Sequence, residues 1–237
     1  HASDASIPLS HLELSQDNFY TMHGSALRGD MIGGALPAEL LVTIQADASD
    51  AQLQTLLNQA VKSSPAQAYN ASVLHNIFSL SLNGEEQALV RVEESASKKD
   101  DPQAHFEQSP PHETNSKTDI ISKLASAETL FNVEGGAGSS LQSEQKRTLH
   151  VRGNVSLRED GLLQCDVQLF KPIGSTFRFL CDYQHGDIAP PPLAYLSAGV
   201  GFCFMTQVGR YATITKQKLN AYRIVQDNAF TIENGEA

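Results

Sequence analysis

Three cysteines, Cys165, Cys181 and Cys203, all lie in the second half of the chain. A thiol serves as nucleophile, metal ligand or redox centre only as the thiolate, so its surroundings decide its use. Cys203 sits in the run Ala198-Gly199-Val200-Gly201-Phe202-Cys203-Phe204-Met205. There it is either a reactive thiol or a small apolar residue packed in a core helix. Cys165 alternates with Leu163, Val167 and Leu169, which is the pattern of core packing. Cys181 ends the alternating run Phe177, Phe179, Cys181 just before that helix, and reads either as a structural residue or as a second thiol for Cys203. Asp182, His185 and Asp187 follow it closely, but the spacing matches no zinc pattern. That stretch reads as a solvated loop and no metal or other cofactor is expected. Arg210 stands two helical turns beyond Cys203 on the same helical face and reads as structural or solvent-facing. His11, His23 and His75 have no companions that would complete a triad.

The elements that must position these residues fall into two blocks. The first spans 7–95. Glu39 to Ala46 reads as a strand with Leu40, Val42 and Ile44 on one face. Ser49 with Gln52 three residues later reads as a capping box. Leu53, Leu56, Leu57, Ala60 and Val61 then give one apolar stripe, so a helix is expected from Ser49 to Ser63, ending before Pro65. Phe78, Leu80 and Leu82 alternate as a strand, Asn83-Gly84 is a hairpin turn, and Ala88 to Val92 is the expected return.

Residues 96–146 have linker composition, with the charge run Lys98 to Asp101, three prolines and a Gly/Ser cluster. Thr118 is expected to cap a short helix there carrying Ile120, Ile121, Leu124, Ala127 and Phe131. The second block, 147–237, opens with Leu149, Val151, Val155 and Leu157 alternating. It turns at Asp160-Gly161, returns through Leu163 to Leu169, and adds a third strand through Phe177 to Cys181. Pro190-Pro191-Pro192 opens an apolar helix, Leu193 to Thr215, since proline is tolerated in a first turn. A last strand is expected from near Leu219. One internal likeness joins the blocks: Gln16-Asp17-Asn18-Phe19-Tyr20-Thr21 recurs as Gln226-Asp227-Asn228-Ala229-Phe230-Thr231, with Leu9 matching Leu219 in register. The likeness implies that the chain opens inside one unit and closes at the same place in the next.

Bulk properties bound the function. The 237 residues are 41% hydrophobic and 19% charged, ordinary for a globular protein. A net charge of −10 gives no basic footprint for phosphate backbones, so no nucleic-acid partner is expected. No apolar run of membrane-spanning length occurs, so no membrane partner is expected either. Three cysteines without framework spacing point to a reducing, cytoplasmic compartment. The sequons at Asn70 and Asn154 would then be accidental.

The segment Pro190-Pro191-Pro192-Leu193 with Ala198 to Met205 resembles the central helix of the OsmC/Ohr family of organic hydroperoxide resistance proteins, where a proline-led apolar helix carries a reactive cysteine. The strands from Thr148 to Cys181 are similar to that family's N-terminal meander, and the first block is similar to its other half, in reverse order. The resemblance implies an α+β fold, with antiparallel sheets wrapped around two central helices and sites formed between intertwined protomers. It implies that Cys203 is the peroxide-attacking cysteine, with Arg152 or Arg158 supporting the thiolate. Ser64 falls where the family has its resolving cysteine, and Leu193 where it has a glutamate. Both would border the binding site without performing those roles. Two readings follow. One is a one-cysteine, thiol-dependent peroxidase that takes a small hydrophobic peroxide and is reset by an external dithiol. The other is a non-catalytic homo-oligomer that binds a small hydrophobic ligand between its helices.

Overall fold

The computed structural model describes residues 6–25, 27–95, 119–126, 128, 145–171, 173–184 and 186–231. Among them the protein is a mixed α+β structure of three helices and a mainly antiparallel sheet. Six strands form that sheet: β1 (Leu9–Gly24), β2 (Ile32–Ala46), β7 (Ile121–Ala125), β8 (Gln145–Leu157), β9 (Leu163–Lys171) and β10 (Thr176–Cys181), in the order β2-β1-β8-β9-β10-β7. The two sequence blocks therefore share one sheet, joined where β1 runs antiparallel to β8 from Glu13 opposite Ser156 to Gly24 opposite Gln145.

The sheet is amphipathic because side chains alternate and directly paired residues share a face. Asn18 opposes Val151, Gly153 opposes Val167, Val155 opposes Cys165 and Phe179 opposes Cys165. Leu12, Leu14, Tyr20, Val151, Val155, Cys165, Val167, Phe177, Phe179 and Cys181 thus line one face. Asp17, Arg152, Asp166 and Arg178 line the other, paired as Asp17–Arg152 and Asp166–Arg178.

Helix α1 (Asp50–Lys62) has the capping box expected from sequence: Ser49 accepts from the Gln52 backbone N–H, and the Gln52 side chain accepts from that of Ser49. Leu56 is the buried residue of its stripe. Ser64 then caps α2 (Pro65–Ala71), which Pro65 opens. Beyond it lie the short strands β3 (Ile77–Phe78), β4 (Leu80–Leu82), β5 (Glu85–Gln87) and β6 (Glu93–Glu94). Asn83 and Gly84 both take the left-handed conformation of a tight hairpin turn, at φ 53° and 87°. The return strand is consequently Glu85–Gln87, directly across the turn, and Ala88 to Val92 is not the partner.

Helix α3 (Pro192–Ile214) covers the apolar run as expected. It stops at Thr215, whose backbone N–H bonds the Tyr211 carbonyl, before Lys216 turns left-handed at φ 57°. No helix among the described residues is long and apolar enough to cross a membrane.

Two further expectations are corrected. Ile121–Ala125 is strand β7, paired with the open edge of β10, rather than part of a helix. The Leu180 N–H also bonds the Ile120 carbonyl at 2.9 Å. An available sheet edge outweighs a weak helical spacing. Thr118, Ala127 and Phe131 lie outside the described residues. The segment from Leu219 forms no strand among the described residues. A small core of Leu162, Leu180 and Ala189, with Ile120 packed on it, sits at the β9–β10 end of the sheet.

Candidate functional site

Helix α3 lies on the apolar face of the sheet. Near its start, the Tyr195 ring meets Phe179 edge-on at 5.7 Å, and its hydroxyl donates to the Leu180 carbonyl at 2.7 Å. Farther along, Phe204 packs against Phe78 with ring centres 6.0 Å apart, tying the second block's helix to the first block. Between these anchors Cys203 is exposed. Burial first, and then the nearby charge of the Cys203 thiolate, push the Tyr20 phenol above its ordinary pKa.

The other two thiols are suppressed. Burial, followed by the charges of Asp166 and Cys181, pushes Cys165 up to about 11. Burial and the Asp182 carboxylate push Cys181 up as well. Both stay protonated near neutral pH, which removes their nucleophilicity. Cys181 is buried at the end of β10. Asp182 is buried too, and its carboxylate accepts from the backbone N–H groups of Gln184 and Ile188, which shapes the loop as a turn. His185 lies outside the described residues, and the described ones contain no metal-binding cluster.

The two arginines singled out from sequence are engaged elsewhere. Arg152 projects from the polar face, opposite α3, and donates to both carboxylate oxygens of Asp17, at 2.8 and 2.9 Å. Its guanidinium also lies 4.9 Å from the centre of the Phe170 ring. His150 bonds the same carboxylate at 2.6 Å and stacks between Phe19 and Phe170. Arg158 folds onto Asp160 in the β8–β9 turn, with its nearest nitrogen at 2.7 Å. Ser64 is committed as the cap of α2, Leu193 is half-buried in the first turn of α3, and Arg210 is half-buried near its end.

Sequence reasoning missed Tyr20 and the Asp17–His150–Arg152 cluster. The one available signal was the repeated Gln-Asp-Asn motif, which marked the place without naming its partners.

At the far end of α3, Phe204, Val208, Tyr211 and Ala212 join Leu219 around an open apolar groove of about 420 Å³. Together the fold and thiol define an α+β protein with an exposed helix-borne cysteine over the apolar face of an antiparallel sheet. No protein family, characterised relative or solved structure matches the chain.

Proposed function

We propose that this chain is an OsmC-like, cytoplasmic redox protein whose Cys203 reduces small hydrophobic hydroperoxides as a one-cysteine peroxidase. The observation that carries the reading is the contrast in access among the thiols: Cys203 is exposed on α3, while Cys165 is half-buried in the sheet and Cys181 is buried. In the reaction the thiolate attacks one peroxide oxygen. An S–O bond forms, the O–O bond breaks, and the departing alkoxide takes a proton to become an alcohol, leaving a sulfenic acid. An external dithiol then condenses with the sulfenic acid, releasing water and forming a mixed disulfide. Its second thiol closes on the first and returns Cys203 to the thiol. Ser64 forms no disulfide, so resolution falls to the external reductant.

Apolar side chains left open on α3, with Phe202 at 69% and Tyr211 at 61% exposure, favour a second copy of the chain packed there as an intertwined dimer. The apolar groove beside Leu219 favours a second reading, a catalytically silent protein that holds a small hydrophobic ligand.

Cumene hydroperoxide consumption in the presence of dihydrolipoamide separates the two. The expected result is turnover by the wild type and by Cys165→Ala, lost in Cys203→Ser. No consumption by the wild type overturns the peroxidase and leaves the groove as the functional feature.

A further inference from the structure

We propose that Leu219–Thr231 is a second occupant of the β1 position, able to replace Leu9–Thr21 beside β8 within the same chain. Leu219 to Thr231 carries Leu, Gln-Asp-Asn and Thr at the places where Leu9 to Thr21 carries them, offset by a constant spacing. The first copy is a strand bonded on both edges, to β2 and β8. The second copy joins no ladder among the described residues, although its sequence alternates in the same way. Tyr222, Ile224 and Phe230 correspond to Leu12, Leu14 and Tyr20, the residues β1 turns to the apolar face.

Carrying the observed register across places Asp227 opposite Arg152, as Asp17 now is, and Asn228 opposite Val151. Gln226 would face Gly153 and Phe230 would face Leu149. The acidic residue that meets Arg152 is therefore encoded twice. The segment is also close at hand. It runs back along α3, where the Tyr222 hydroxyl donates to the Met205 carbonyl and the Gln226 amide donates to the Ser197 carbonyl, each at 3.3 Å. Those bonds are single side-chain ties that a strand could exchange for a ladder.

Three differences explain why β1 holds the position. Phe19 stacks on His150 at 4.7 Å, and Ala229 has no ring to do so. Ser15 bonds the Asn154 side chain, where Val225 has no polar group to offer. β1 also brings β2 with it as a hairpin. Exchange would release β1 and β2 together and leave the second segment as the sheet's edge.

Hydrogen exchange on the full chain, read by mass spectrometry, tests the idea. In the wild type, 12–21 is expected to be protected and 222–231 to exchange quickly. The double variant Phe19→Ala/Ala229→Phe moves the ring from one copy to the other. It is expected to lose protection at 12–21 and gain it at 222–231, with β8–β10 still protected and the chain eluting as the wild-type species. Protection that stays at 12–21, or disappears there without appearing at 222–231, overturns the proposal. The single variant Ala229→Phe leaves β1 intact, which covers a double variant that fails to fold. It is expected to split the exchange pattern of 222–231 into fast and slow populations, and one fast population there also overturns the proposal.

Discussion

The Asp17–Arg152 pair joins the two halves of the chain, so its loss should be measurable as stability. Asp17 is 13% exposed and takes hydrogen bonds from both Arg152 and His150. Those bonds, the Arg152 pair first, hold its carboxyl at about 2 against an ordinary 3.8, despite the opposing effect of burial. A gap of that size corresponds to roughly 2.5 kcal/mol at 1.36 kcal/mol per pH unit. Arg152 is 38% exposed, so water and salt screen the pair, and about 1 to 1.5 kcal/mol is the expected contribution. The folded-state pKa lies below the unfolded one. The contribution is therefore complete above about pH 4 and is lost as the pH falls towards 2. Asp17→Asn should be less stable than the wild type by that amount at pH 7, and the difference should shrink between pH 4 and 2. Urea unfolding at a series of pH values measures it. Far-UV circular dichroism is the suitable signal, because the chain has no tryptophan. Wild-type and Asp17→Asn stabilities that stay parallel from pH 7 to 2 would refute the reasoning.

Two further substitutions probe local structure by the same unfolding assay. Gly24 takes φ +92° at the end of β1, and a Cβ there would lie 3.0 Å from the Asp30 carbonyl carbon. Gly24→Ala should cost about 2 kcal/mol or more, whereas Gly33→Ala, where a Cβ meets nothing within 4 Å, should be near neutral. Ser49→Ala removes one half of the α1 capping box and should cost about 1 kcal/mol, with Ser49→Asp retaining most of the stability.

The polar and apolar faces of the sheet divide its tasks. The charged face carries two carboxylate–guanidinium pairs: Asp17–Arg152 joins the two blocks across β1 and β8, and Asp166–Arg178 ties β9 to β10 within the second block. The apolar face receives α3 and with it Cys203. An arginine on β8 at an even-numbered position belongs to the charged face, which is why Arg152 is directed away from the thiol. For the peroxidase reading, Arg152 is committed to Asp17 on the opposite face and is not the group that supports the Cys203 thiolate.

Local pattern was enough to read α1 with its capping box, the Asn83-Gly84 turn, the meander β8–β9–β10 and the proline-led α3. In each, the deciding interactions lie within a few residues: a side chain on a backbone N–H, a left-handed turn, a period of two or of 3.6. The placement of Cys165 in the sheet's apolar face was legible for the same reason. Ile121–Ala125 was not, because an open edge on β10, far away in sequence, supplied the hydrogen bonds that made it a strand. The segment from Leu219 was not, because it joins no ladder among the described residues and is tied instead to α3 through Tyr222 and Gln226. The site divides in the same way. The proline-led apolar run marked the helix and the family resemblance singled out Cys203 on it, but the commitment of Arg152 to Asp17 depends on which strands lie side by side. Such pairing is a choice among distant partners, made by the summed burial and hydrogen bonding of the whole sheet.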